Sequence, residues 1–195
     1  MMLRTFAPIV ALACALTVST PAQAQDVVAI GEVHDNPAHH VVQADKVAKL
    51  QPSAIVLEML TAEQAARITS ALRTDAEALA IELDWTSSGW PDFSYYYPIM
   101  AAAPDAAIYG AGVPRDAARA AMRDGVAETF GPDAVQYGLT DPLPDDQHAA
   151  RLTLQAEAHC DALPPDMLPA MIDIQRLRDA VMARTTLMAL AETGG

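Results

Sequence analysis

The strongest constraint on this chain is an alternation. Three runs of four or five mostly apolar residues, Asp26–Ile30, Ala54–Leu57 and Ala106–Tyr109, are separated by stretches with helical apolar spacing. Runs this short, without clear polar alternation, suit strands buried on both faces of a parallel sheet, with helical returns between them. The expected class is α/β, a parallel sheet flanked by helices.

The helical stretches carry their own start signals. Asn36 before Pro37 reads as an N-cap with proline in the first turn, opening a helix over Ala38–Leu50. Gln51-Pro52-Ser53 is a turn, and Thr61 with Gln64 makes a capping box for a helix to about Leu72. Thr74–Glu77 opens another toward Leu83, and Pro114 one to about Asp124. Gly131–Asp146, rich in Pro, Gly and Asp, reads as a loop or lid. Gln147–Asp161 is helical, Pro164-Pro165 interrupts, and Asp166–Ala191 forms one long helix. Its Met171, Met182 and Met188, with Met167, fit core filler. Its Arg176, Arg178 and Arg184, with Asp173 and Asp179, fit a solvated face from which one arginine could turn inward toward a ligand carboxylate. The sequence stops at Thr193-Gly194-Gly195, where such a fold would normally run into another strand, so the sheet is expected to be truncated before its last strand.

Residues 1–24 read as a secretory signal peptide: Arg4, an apolar stretch from Phe6 to Val18, and the small-x-small site Ala22-Gln23-Ala24. The segment is too short and wrongly flanked for a transmembrane span. A competing reading lipidates Cys14, although Ala11-Leu12-Ala13 is a poor lipobox. Residues 25–195 form one domain in which Cys160 is the only cysteine, so no intramolecular disulfide can form. Loss of Arg4 takes the formal net charge from −13 to −14, which excludes a basic nucleic-acid footprint.

Chemistry concentrates at Gly31-Glu32-Val33-His34-Asp35-Asn36-Pro37-Ala38-His39-His40, between the first apolar run and the first helix, where ligands bind in open α/β sheets. Glu32 and Glu58 would end consecutive strands and share a crevice with His34, a set able to bind a divalent metal or divide general acid and base roles. The alternative is structural: Glu58 paired with Arg115, and His34 bonded to a backbone carbonyl. His39 and His40 point about 100° apart on a helix, so at most one faces the crevice. The aromatic segment from Trp90 to Pro98, with Tyr95, Tyr96 and Tyr97, either seals the core or walls a site for a flat apolar ligand with a phenolate on its metal. Gly110-x-Gly112 lacks the third glycine of a dinucleotide loop, and His159-Cys160 lacks a second cysteine at zinc spacing.

In order along the chain, Gly31–Asn36, Val56–Met59, Gly89–Phe93 with Tyr96 and Pro98, Tyr109–Arg115, His159-Cys160, and Met171 with Gln175, Arg178-Asp179 and Met182-Ala183 together resemble the ChaN haem-binding family. The resemblance spans nearly all of residues 25–195. It implies an exported or lipid-anchored, periplasmic or outer-membrane-associated protein that binds haem in iron uptake without turnover, as a homodimer, with tyrosine on the iron. Tyr96 matches the family tyrosine, with Tyr95 and Tyr97 as neighbours, and His34 matches the histidine of the first motif. Trp90 and Arg115 complete the expected haem-binding set. The same superfamily contains hydrolases in which a Glu and a His of the first motif are associated with catalysis, so the second reading is a metal-assisted or general acid/base hydrolase using Glu32, His34 and Glu58. The family's further strand, ending in a glycine-rich turn with a histidine, has no counterpart here.

Overall fold

The structure, a computed structural model, describes residues 27–194. The expected leader and Cys14 lie outside them. Two strands, β1 (Ala54–Leu57) and β2 (Ala107–Gly110), pair in parallel, with Ala54 opposite Ala107 and Leu57 opposite Gly110. Helices surround them, so the class is α/β as expected.

The expected first strand is corrected. Residues 27–30 carry no regular secondary structure and join no ladder, and Val27 and Val28 are about half exposed. Side chains tether the segment instead: Gln43 Nε2 donates to the Ile30 carbonyl at 3.2 Å, and His39 Nδ1 accepts from Val33 N at 2.9 Å. An apolar run becomes a strand only where a neighbour takes its N–H and C=O groups, and β1 pairs with β2 rather than with this segment.

Helix α1 (Pro37–Leu50) begins as its caps dictate, with Asn36 accepting from Ala38 N. The capping box at Thr61 and Gln64 is present, but α2 ends at Ala66, shorter than its spacing suggests. A 3-10 turn over Leu72–Thr74 follows, and it turns Arg73 into the interior. Asp75 then caps α3 (Ala76–Glu82), and a short α4 covers Trp85–Ser88. The aromatic segment is largely helical: Asp92 accepts from Ser94 N at 2.8 Å and opens α5 (Phe93–Ala101). Helix α5 packs along α1, and Leu60, Leu79, Leu83, Trp85, Tyr96 and Met100 form the interior of this half.

After β2 come α6 (Arg115–Asp124) and α7 (Val126–Phe130). The expected loop or lid contains a 3-10 turn over Pro132–Tyr137, and α8 (Asp145–Ala158) follows it. Helix α9 (Leu168–Thr193) crosses the sheet and closes a second apolar cluster around Leu177, Phe130 and Leu139. The methionine expectation fails, since Met167 and Met188 are exposed and Met171 and Met182 only half-buried. Ile172, Ile174, Leu177 and Ala180 supply the buried positions on this helix. Its arginines are only partly a solvated face: Arg176 donates to the carbonyls of Gly138 and Asp141, and Arg184 lies over the Phe130 ring at 4.2 Å.

Gly110 and Gly112 have a packing explanation. A Cβ on Gly110 would meet the Thr61 carbonyl and lie 2.6 Å from Leu60 O, while Gly112 N donates to that same oxygen at 2.6 Å. Bare backbone lets the end of β2 pass against the turn that follows β1.

Candidate functional site

The polar turn after residue 30, the first turn of α1 and the middle of α5 converge on the Glu32 carboxylate. Its side chain is 7% exposed. Tyr96, itself 2% exposed, donates its hydroxyl to Oε1 at 3.1 Å, and His34 Nδ1 lies 2.8 Å from the same oxygen. The His34 ring is 48% exposed and stands edge-on to Trp90, centroids 4.6 Å apart. A carboxylate oxygen accepts, so Nδ1 carries the hydrogen; in the neutral imidazole Nε2 then keeps its lone pair, with no partner among the described residues.

His40, rather than His39, is the crevice histidine. It is 1% exposed, packs edge-on to Tyr96 and stacks on Tyr95. Its Nε2 lies 2.9 Å from the His34 carbonyl and must donate there, which fixes the backbone of the turn. Its Nδ1 then faces Glu32 Oε2 at 3.3 Å, off the hydrogen-bonding axis, and neither atom has another partner among the described residues. The buried face of α1 runs through His40, Gln43 and Val47. That i, i+3, i+7 stripe is the sequence signal that selects His40.

The three consecutive tyrosines separate. Tyr96 points at Glu32. Tyr95 is half-buried against His40, and its hydroxyl has no partner among the described residues. Tyr97 leaves the cluster, donating to the Arg73 carbonyl at 3.1 Å. Burial pushes the Tyr96 phenol well above the usual tyrosine value; the charge of Glu32, its hydrogen bond, and the charge of Glu58 add to this.

The sign for stability follows. The unfolded chain releases this proton near pH 10, whereas the folded chain keeps it, so stability declines as pH rises past about 10. An ultraviolet alkaline titration should therefore show a late tyrosine step that disappears in Tyr96→Phe. Tyr109, raised by its bond to Glu192, remains as the other late group. Ionisation of all tyrosines together near pH 10 would contradict the buried geometry.

Glu58 faces an adjoining cavity of about 340 Å³ whose walls include Gln64, Ser88, Trp90, Arg115 and Arg178. The expected alternative pairing of Glu58 with Arg115 is not among the described ion pairs; Arg115 Nη2 donates to Ser88 O at 3.2 Å. Trp90 is common to this cavity and to the His34 contact. Sequence spacing alone does not bring Arg178, on α9, to this wall. Among the described residues no group of three or more His, Cys, Asp or Glu is arranged to hold a metal ion, and no helix is long and apolar enough to cross a membrane.

The structure is thus a helical α/β domain in which a carboxylate-held imidazole and an indole lie beside a cavity lined by Glu58, Arg115 and Arg178. Residues 18–194 match the family described as haem-binding uptake, Tiki superfamily, ChaN, and the chain belongs to that family. No curated protein and no solved structure matches it.

Proposed function

We propose that this protein binds haem and serves its uptake, with His34 Nε2 on the iron. The observation that carries this reading is the 2.8 Å bond from His34 Nδ1 to buried Glu32, which leaves Nε2 as a half-exposed donor beside a flat indole. The donor set suits haem: His34 would hold the group through Nε2, and the bound iron would supply a Lewis-acid centre for that nitrogen. Glu32 fixes the tautomer and strengthens the imidazole as a donor, as outer carboxylates do for ligating histidines. Tyr96 and His40 hold Glu32 and the His34 backbone in place. Tyr96 thus serves as a supporting donor rather than the iron ligand, because its hydroxyl is buried and already spent on Glu32. Export through the leader expected over residues 1–24, a periplasmic or outer-membrane location, homodimerisation and the absence of turnover belong to the same proposal.

Haemin titrated into the chain from Gln25 onward should give a saturable absorbance change of histidine type. His34→Ala should abolish it, and Glu32→Gln should weaken binding by about 10- to 100-fold. A tyrosinate band lost in Tyr96→Phe or Tyr95→Phe would move the iron to a phenol. A flat titration of folded protein would overturn haem binding.

The same Glu32–His34 pair favours one other reading, a hydrolase in which Glu32 orients His34 as general base and Glu58 lines the substrate cavity. Hydrolysis of model esters or amides that Glu32→Gln removes would support it, and activity that survives would remove these roles.

A further inference from the structure

The cavity beside Trp90 has an unusual charge arrangement for so acidic a chain. Arg67, Arg123, Arg151 and Arg176 each lie within 4 Å of an acid. Among the described residues Arg73, Arg115, Arg119, Arg178 and Arg184 have no such partner, and of these Arg115 and Arg178 line this cavity. They come from the start of α6 and the middle of α9, elements far apart in sequence.

Arg115 is held in position. Its Nη2 donates to Ser88 O, and a Cβ on Gly89 would lie 2.7 Å from that nitrogen. Gly89 also has φ +84, a conformation that favours glycine. A bare, left-handed residue therefore leaves the space that this guanidinium fills, next to Trp90. Arg178 carries no hydrogen bond or ion pair among the described residues. One carboxylate, Glu58, faces the same space.

Two guanidiniums against one acid leave a net positive wall. Guanidinium groups recognise carboxylates by paired N–H donors. We propose that Arg115 and Arg178 form the subsite for the ligand's carboxylates, so that the acidic edge of haem enters this cavity while Trp90 separates it from His34. This rests on the haem reading and assigns the ligand's polar edge to residues that the iron site does not use. Glu58 opposes a fully anionic occupant, which makes both arginines necessary.

The test compares haemin with haemin dimethyl ester, which keeps the iron and the ring but lacks free carboxylates. Both are titrated in the same detergent into the unaltered protein, Arg115→Gln, Arg178→Gln and the double variant. The double variant should bind haemin about ten-fold or more weakly, equivalent to about 1.4 kcal/mol, and bind the ester as the unaltered protein does. Unchanged ester binding also shows that the variants are folded. Equal losses for haemin and ester, or no loss for haemin, would overturn the subsite while leaving haem binding intact. Failure of the unaltered protein to bind either compound would overturn the haem reading and the subsite with it.

Discussion

Arg73→Met should lower the unfolding free energy by about 3–5 kcal/mol, the range for stranding buried charge-assisted partners. Arg73 is 9% exposed, and two of its guanidinium nitrogens satisfy four backbone carbonyls. Nη1 donates to Pro104 O and Ala106 O at 2.8 and 2.7 Å, and Nη2 to Met100 O and Ala103 O at 2.5 and 2.6 Å. Met100 lies in the last turn of α5, where helix carbonyls have no partner in the helix, and Ala103 just past its C-cap. Ala106 leads directly into β2. Burial holds the guanidinium below its ordinary pKa, and Asp105 offsets part of that effect, so the cation is desolvated rather than ion-paired. Methionine matches the stem but leaves four carbonyls dry. For a domain of this size the change is about 6–20 °C in Tm. Arg73→Lys should fall between, since one ammonium cannot span all four acceptors. Thermal and urea unfolding decide, and a Tm unchanged in Arg73→Met would show that water replaces the arginine without cost.

Gly110→Ala is expected to cost about 3 kcal/mol, at the upper end for overpacking because the obstacle is backbone. The added methyl would meet the Thr61 carbonyl and Leu60 O, and these belong to the turn that caps α2. Relief requires β2 to slide or the turn to lift, and either move disturbs the Ala111 N to Leu57 O and Gly112 N to Leu60 O bonds. Gly110→Ala places the damage at the sheet end beside the cavity, and Arg73→Met at the opposite end, where Ala106 enters β2. Urea unfolding measures the loss, and a variant as stable as the parent would mean that the turn yields freely.

Local signals in this chain were legible where the physics is local. Asn36 and Thr61 with Gln64 mark helix starts because a cap needs only a side chain and the next few amides, while Pro114 precedes α6 through its fixed φ alone. The apolar runs at Ala54–Leu57 and Ala106–Tyr109 became strands, the second displaced by one residue to Ala107–Gly110, because each found the other. Residues 27–30 look the same by composition and did not, since pairing depends on what lies alongside. The placing of His34 beside Glu32 was legible from a polar turn before a helix, whereas the Trp90 contact and the position of Glu58 in the adjoining cavity were not. The direction of Tyr96 and Tyr97 was not, because Asp92 as the start of α5 sets the rotation of every residue after it. Arg73 gives no signal in sequence: its acceptors are backbone oxygens, which any residue can supply.

The neighbouring hydroxyls of α5 have a consequence for how this chain can vary. Tyr96 reaches Glu32, while Tyr97, about 100° around the helix, reaches the carbonyl of Arg73. A small twist that improves one contact draws the other away. The helix is also fixed at its first turn by Asp92 and at its last by Arg73. Its angular setting therefore has almost no tolerance, and substitutions that repack it should misaim the crevice even when the protein remains folded. Sequence drift is better absorbed by α8, which buries none of its residues.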